Sequence, residues 1–212
     1  MPRFLALALA GLVMSSGLSP AVAQERPWYV TIDAGLSATG HPDFSDGRLT
    51  TRQGSALGGS IGRYLGQSWR LEAAVMYRNN AVRQVSASGF DARPGDADWA
   101  SVVLTVNGFH DFDAFRLGQA SVRPYVGLGA GHAQEVDADL SAAGAEREFS
   151  GSSSAGQLMA GLRWDYGSPW VADVGVALTQ SRRIRLVPTG SGATVEARYR
   201  ATTVMARLGY RF

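Results

Sequence analysis

The last eleven residues of the chain alternate between apolar and polar side chains. Every second position counted back from the C-terminus is apolar, namely Phe212, Tyr210, Leu208, Ala206 and Val204. The positions between them are mostly polar or small and include Arg207 and Arg211. A period of two residues is typical of a β-strand with one apolar face. A terminal strand of this kind favours a barrel closed in lipid, in which the last strand pairs with the first and leaves no edge.

Seven earlier segments show the same alternation, so the sequence predicts eight strands. They cover roughly residues 28–37, 55–65, 69–79, 100–111, 122–133, 155–166 and 170–179, and the eighth begins as early as Val195. Long polar loops are predicted after the first, third and fifth strands, and a basic loop after the seventh. Short turns join the remaining strands.

Alternating loop lengths and an even number of strands are typical of outer-membrane barrels, which have short periplasmic turns and long outer loops. The predicted fold class is therefore all-β, an eight-stranded antiparallel up-and-down transmembrane β-barrel. The alternative is a soluble lipocalin-like barrel, which would reverse the two faces and give an apolar lumen and a polar exterior.

Four tryptophans fall where predicted strands meet the short turns, as an interfacial aromatic girdle requires. They are Trp28, Trp69, Trp164 and Trp170. The fifth, Trp99, falls on the inward face of its strand in this register. It predicts a β-bulge or a later start of the fourth strand.

The N-terminal 23 residues are predicted to be a signal peptide. Arg3 precedes an apolar run from Phe4 to Val13, and residues 21–23 form a small-x-small cleavage site. The predicted organisation is therefore a signal peptide at 1–23 and a barrel domain at 24–212.

The charge balance and the absence of cysteine exclude several classes of protein. The chain has 20 arginines, no lysine and 18 acidic residues, so it lacks the basic excess of a nucleic-acid-binding protein. Without cysteine it can form neither disulfides nor thiolate metal sites. No phosphate-binding loop, dinucleotide fingerprint or metal-ligand spacing is present, so no cofactor or metal is expected.

Charged residues occupy the inward rows of several predicted strands. The set is Asp33, Arg70, Glu72, Arg78, Arg163, Asp165, Asp173, Arg207 and Arg211. Buried charges are costly unless they are paired, so these residues predict an Arg–carboxylate network. Closure of the barrel predicts Arg207 or Arg211 near Asp33. Side chains fill the interior of an eight-stranded barrel, so the network is expected to plug the lumen; the alternative is a narrow solute pore.

The histidines do not form a recognisable catalytic motif. They are His41, His110 and His132. Outer-leaflet lipid deacylases place a histidine and a serine two residues apart, but in this chain His132 is followed by Ala133 and Gln134. No catalytic residue is therefore predicted. A lipid A-modifying enzyme is kept as a third alternative, because catalytic triads are defined by geometry rather than by spacing.

Five arginines lie near the predicted outer end of the last two strands. They are Arg182, Arg183, Arg185, Arg198 and Arg200. Guanidinium groups bind phosphate oxygens well, so contacts with lipopolysaccharide phosphates are predicted. The alternative is pairing with the acidic loop predicted after the fifth strand.

Three segments carry a resemblance to a known family. They are residues 106–112 (VNGFHDF), 123–131 (RPYVGLGAG) and 208–212 (LGYRF). The chain resembles small outer-membrane barrels of the opacity-protein and outer-membrane-protein-A-like type, often called porin family proteins of the Gram-negative envelope.

The resemblance implies an integral outer-membrane protein with a role in envelope integrity, surface interaction or limited solute passage. It implies outer-membrane lipid and lipopolysaccharide as partners, and an extracellular partner through the loops. Leu208, Tyr210 and Phe212 resemble the signal that the barrel-assembly machinery reads.

Overall fold

The computed structural model describes residues 27–39, 43–44, 47–51, 53–87, 98–142, 145–188 and 195–212. The predicted signal peptide lies outside the described residues. Within these ranges no α-helix is long and apolar enough to cross a bilayer. The described residues form eleven strands: β1 (Trp28–Thr39), β2 (Asp43–Phe44), β3 (Gly47–Thr51), β4 (Gly54–Leu65), β5 (Trp69–Ala87), β6 (Asp98–Asp111), β7 (Phe115–Leu117), β8 (Ala120–Ala142), β9 (Ala145–Asp165), β10 (Trp170–Pro188) and β11 (Val195–Arg211).

Eight of these strands close an antiparallel barrel in the order β1, β4, β5, β6, β8, β9, β10 and β11. The closing pair is β1 with β11, whose register runs from Tyr29 opposite Arg211 to Thr39 opposite Ala201. The predicted fold class is confirmed. The short turns contain Gly66, Gly118 and Gly167, each with a positive φ that glycine adopts without steric cost.

The outer wall of the barrel is apolar and the lumen is polar. Along β11 the row ending in Phe212 is exposed, whereas Thr203, Met205 and Arg207 are buried. The predicted orientation of the two faces is therefore confirmed. An exposed apolar wall around a buried charged lumen is the arrangement of a barrel in lipid.

Most of the predicted long loops are extended strand pairs. The segment predicted as a loop at 134–153 is occupied mainly by β8 and β9, which stay paired up to Ala142 opposite Ala145. Likewise β5 continues to Ala87 and β10 to Pro188, and β2 and β3 lie within the first predicted loop. These polar extensions escaped prediction because a β-ribbon outside the bilayer satisfies its backbone hydrogen bonds without an apolar face.

The irregularity predicted at Trp99 lies on the neighbouring strand. β6 begins at Asp98, and its pairing with β5 is unbroken, so a later strand start is wrong. The register shift occurs against β8, where Val102 faces Glu135 and Val103 faces Ala133. The extra residue is Gln134, so the β-bulge belongs to β8.

Candidate functional site

The central feature of the lumen is Arg207, which bridges two carboxylates from different strands. Its Nε donates to Asp33 Oδ1 at 3.0 Å, and its Nη2 donates to Glu72 Oε1 at 2.8 Å. The other oxygen of Glu72 accepts a hydrogen bond of 2.9 Å from the Tyr29 hydroxyl. Asp33 also accepts from Thr31 at 2.6 Å. Both carboxylates therefore have partners beyond Arg207.

A second buried pair joins Arg70 on β5 to Asp111 at the end of β6. Nε and Nη2 of Arg70 donate to the carboxylate at 2.8 to 3.0 Å, which is a bidentate arrangement. The guanidinium carbon lies 4.4 Å from the ring centroid of Phe109 and 5.1 Å from that of Tyr125. Aromatic faces attract cations, so the rings add to the stabilisation that Asp111 provides.

A third buried pair joins Arg163 on β9 to Asp173 on β10, which face each other in the strand register. The Nε–Oδ1 and Nη2–Oδ2 distances are 2.9 and 2.7 Å. The remaining Nη1 donates to the Tyr64 hydroxyl at 2.7 Å. All three nitrogens of this guanidinium are thus satisfied inside the barrel.

The rim at the short turns carries a more exposed pair between Arg211 and Asp165. Its two hydrogen bonds measure 2.7 and 3.0 Å. Arg211 also donates to the backbone carbonyl of Ser168. Side-chain exposures of 22% and 35% distinguish this pair from the three inner ones, whose side chains are at most 4% exposed.

Glycines leave room for large aromatic rings on the inner wall. A Cβ atom added to Gly127 would lie 2.6 Å from the Phe109 ring. One added to Gly161 or Gly175 would lie 2.6 or 2.5 Å from the Tyr125 hydroxyl. These rings therefore occupy space that a side chain on the facing strand would fill.

The end of the lumen near the long hairpins contains a different kind of arginine. Arg78 is buried, and its Nε and Nη2 donate to the hydroxyls of Thr203 at 2.9 Å and Thr179 at 3.2 Å. Thr179 in turn donates to Gln157 Oε1 at 2.9 Å. Arg78 has no carboxylate partner among the described residues, and its Nη1 has no hydrogen-bond partner.

A cavity of about 20 Å³ separates Arg78 from the Arg207 cluster. It is lined by both arginines and by Glu72, Asn107 and Met205, among others. The Oδ1 atom of Asn107 is buried without a partner. This volume holds about one water molecule, so side chains fill nearly all of this part of the lumen.

The family described as "Outer membrane protein beta-barrel domain" matches residues 5–212. The chain belongs to this family. It is an outer-membrane protein, so the short-turn end of this barrel is periplasmic and the long hairpins are external. No curated protein sequence matches the chain.

Solved outer-membrane barrels share this fold at low sequence identity. Neisserial surface protein A is 17% identical with a TM-score of 0.55, covering 87% of this chain and 97% of that one. OprG from Pseudomonas aeruginosa is 13% identical with a TM-score of 0.52, covering 88% and 97%. AlkL, solved in lipid bilayers, is 16% identical with a TM-score of 0.51, covering 94% and 97%.

All nine residues predicted for the lumen of this outer-membrane barrel lie on its inward rows. Asp165 and Arg211 lie at the periplasmic rim, and the other seven are buried. Of the two partners predicted for Asp33, Arg207 forms the ion pair. Asp111 was not among the predicted lumen residues, although the inward row of β6 that contains Asn107 also reaches it.

The five predicted lipopolysaccharide contacts lie on two paired strands at the external end. Arg183 faces Arg198, and Gln180 faces Arg200, in the register of β10 with β11. The side chains of Arg182, Arg185 and Arg200 are exposed. The alternative, pairing with the acidic hairpin, involves side chains outside the described set.

The remaining candidate residues are distributed over the wall. Leu208, Tyr210 and Phe212 are exposed on the lipid face of the last strand. His41 lies outside the described residues, and His110 contacts Trp69 near the periplasmic rim. His132 is exposed on the outer wall of β8. No group of three or more potential metal ligands occurs among the described residues.

Proposed function

We propose that this barrel is a non-conducting component of the outer membrane with a structural or surface-interaction role, and that its external rim binds lipopolysaccharide phosphates. The observation that carries the first part is the set of three ion-pair clusters crossing the periplasmic half of the lumen, built on Arg70, Arg163 and Arg207. Each cluster joins side chains from different strands, so together the clusters connect separate parts of the barrel wall through the lumen.

The geometry of these clusters opposes the passage of solute. Arg207 reaches from β11 to Glu72 on β5, two strands beyond its neighbour β1. Every nitrogen of Arg163 and both oxygens of Asp173 are hydrogen-bonded, so neither group is left to coordinate a passing ion. Breaking such a pair costs several kcal/mol, which makes spontaneous opening rare.

A conductance measurement tests this proposal. The purified protein in a planar bilayer is expected to give no discrete channel openings. Glu72 and Arg207 line the existing cavity, so the double variant Glu72→Ala/Arg207→Ala enlarges it and is expected to conduct. Leu208→Ala, on the lipid face of the same strand, is the control and should stay silent.

A narrow solute pore is the second candidate, and the cavity between Arg78 and the Arg207 cluster favours it. This cavity is lined by Arg78 and Asn107, each with a polar atom that has no partner among the described residues. Reproducible openings of the unmodified protein would establish the pore and remove the structural plug.

The arginines of β10 and β11 support the lipopolysaccharide part of the proposal. The side chains of Arg182, Arg185 and Arg200 are exposed on these two paired strands at the external end. Guanidinium groups bind phosphate oxygens well, so this basic area suits lipid phosphates.

Retention of lipopolysaccharide during purification tests the rim. The triple variant Arg182→Gln/Arg183→Gln/Arg185→Gln is expected to retain less co-purifying lipopolysaccharide than the unmodified protein, and this difference should shrink at high salt because exposed charges are screened. A matched variant removes three charges at the periplasmic end, Arg63→Gln/Arg116→Gln/Arg123→Gln. Equal retention by the two variants would exclude binding through the external arginines.

A further inference from the structure

The lipid-facing wall carries a histidine and a serine directly opposite each other on adjacent strands. His132 on β8 pairs with Ser154 on β9 in an unbroken stretch of the register, and both side chains are exposed. Cβ atoms of directly opposed residues on one face lie about 5 Å apart, so an imidazole can reach a serine hydroxyl. Neither side chain forms a hydrogen bond within the described part of the chain, so both are available to a ligand.

The position of this pair corresponds to the external membrane interface. Val122 pairs with Trp164, a member of the periplasmic tryptophan girdle, and His132 lies about ten residues further along β8. A tilted strand crosses the hydrocarbon layer in about 9–11 residues. His132 and Ser154 therefore lie near the depth at which ester groups join acyl chains to lipid headgroups.

The wall on the membrane side of the pair has a shallow trough. The next outward pair is Ala130 opposite Gly156, and the one below it is Leu128 opposite Leu158. A Cβ atom added to Gly156 would meet only one heavy atom within 4 Å, the carbonyl oxygen of Gly129 at 3.9 Å. Packing does not require glycine there, and its absence of a side chain leaves space for an acyl chain along an apolar surface.

The backbone pairing near His132 and Ser154 is interrupted in two places, between β8 and β9 and between β9 and β10. On β8, Gln134 and Glu135 together face Ser152 because pairing passes from Ala133–Ser153 to Val136–Gly151. Pairing of β9 with β10 stops at Ala155–Ser181 and resumes at Ser150–Val187. Residues at such interruptions leave N–H groups outside the ladder, and free N–H groups can stabilise an oxyanion.

We propose that this pair is a catalytic site that hydrolyses an ester-linked acyl chain of an outer-leaflet lipid. Ser154 Oγ attacks the ester carbonyl while His132 accepts the hydroxyl proton. The ester C–O bond breaks, His132 gives the proton to the leaving oxygen, and an acyl-serine remains. Water, activated by His132, then cleaves the acyl-serine, releases a fatty acid and restores the serine.

This activity goes beyond the structural and rim-binding role, and depends only on the outer-membrane location. The sequence alone kept a lipid A-modifying enzyme only as a third alternative, because no serine lies two residues after His132. The strand register supplies the serine from a position 22 residues later in the chain. Sequence separation carries no information about distance once the strand pairing is known.

Release of free fatty acid from defined vesicles tests the site. The full barrel is reconstituted in vesicles of phospholipid alone or with lipopolysaccharide, and the released acids are measured by mass spectrometry. The vesicle that yields product identifies the lipid class. Loss of a general base or nucleophile lowers turnover by at least about 100-fold, so Ser154→Ala and His132→Gln should both lose activity.

Two further variants separate catalysis from a general effect on the wall. Ser152→Ala is the matched control, because Ser152 is an exposed serine on the same face of the same strand, and it should retain release. Gly156→Leu fills the trough and should reduce release from lipid. It should leave labelling of Ser154 by a small fluorophosphonate unchanged.

The proposal is overturned if the folded protein releases no acid from either vesicle. It is also overturned if Ser154→Ala retains release, or if the fluorophosphonate labels a different serine. Folding of each variant is checked by its heat-dependent mobility on a gel, so an inactive misfolded barrel is not mistaken for a catalytic effect.

Discussion

The periplasmic and external halves of the lumen both bury arginine, but they neutralise it in different ways. In the periplasmic half Arg70, Arg163 and Arg207 each form hydrogen bonds with carboxylates at 2.7 to 3.0 Å. In the external half Arg78 donates to threonine hydroxyls. One half is held by contact ion pairs, and the other contains a cation that has no adjacent anion among the described side chains.

The difference has an electrostatic explanation when the two halves are considered together. The periplasmic half buries three arginines with four carboxylates, those of Asp33, Glu72, Asp111 and Asp173. Its net charge is therefore negative by one, and Arg78 restores neutrality among the described buried residues. The charge of Arg78 is balanced across the cavity rather than by contact, so the two halves depend on each other.

The largest effect is expected from Arg207→Met, which removes the cation that two carboxylates share. Asp33 and Glu72 would stay buried without it, and breaking a buried pair in this way costs about 3–5 kcal/mol of unfolding free energy. Urea unfolding of the barrel in lipid vesicles, followed by tryptophan fluorescence, measures the loss.

The triple variant Arg207→Met/Asp33→Asn/Glu72→Gln is the control for that measurement. It removes the charges as well as the arginine, so it should recover a substantial part of the lost stability. A single variant as stable as the unmodified protein would show that contact pairing is not what distinguishes the periplasmic half.

A smaller effect is expected from Arg78→Met, because this arginine leaves no contact carboxylate behind. The variant loses the hydrogen bonds to Thr203 and Thr179, but it also removes the desolvation cost of a buried charge. The net change should be at most about 2 kcal/mol, since Thr179 keeps its bond to Gln157. The same unfolding assay applies.

Comparison of Arg78→Met with Arg207→Met isolates the contribution of the contact carboxylates. The two residues share the side chain, the burial and the location inside the barrel. Equal destabilisation by the two substitutions would contradict the distinction between the halves.

The periodicity of the sequence was sufficient for the fold but not for the whole network. Alternation of apolar and polar residues correctly assigned the two faces, and closure of the barrel brought Arg207 to Asp33 because they are opposite in register. Glu72 and Arg207 lie on strands separated by two others, so their contact depends on the tilt of the barrel, which no local pattern specifies. Asp111 was missed because it is the last residue of β6.

Two further features could not be predicted from the alternation of apolar and polar residues, for different physical reasons. The extensions of β8 and β9 are stabilised by pairing in water, so their residues do not show the apolar alternation of a membrane strand. The proximity of Ser154 to His132 follows from the register of one hairpin, which the position of the bulge at Gln134 also influences. Neither the strand extensions nor the pairing of His132 with Ser154 can be predicted until the residues at the end of the β8–β9 hairpin are known.

The smallest effect is expected from Asp165→Asn at the periplasmic rim. Asp165 and Arg211 form the same kind of bidentate pair as the inner clusters, but both side chains are partly exposed. Water and salt weaken such a pair, so its loss should cost less than about 1 kcal/mol. Asparagine can still accept the 2.9 Å hydrogen bond that the Gly167 amide donates to the aspartate, which preserves the turn.

Asp173→Asn is the matched substitution inside the lumen, because Asp173 forms a bidentate pair with Arg163 and is almost fully buried. The two variants make the same chemical change at two depths, so the difference in their unfolding free energies reports chiefly the effect of burial. If the rim variant lost as much stability as the lumen variant, pairing geometry rather than exclusion of water would determine the strength of these contacts. The structure predicts that the rim variant loses less unfolding free energy than the lumen variant. It also predicts that the small loss of the rim variant disappears at high salt.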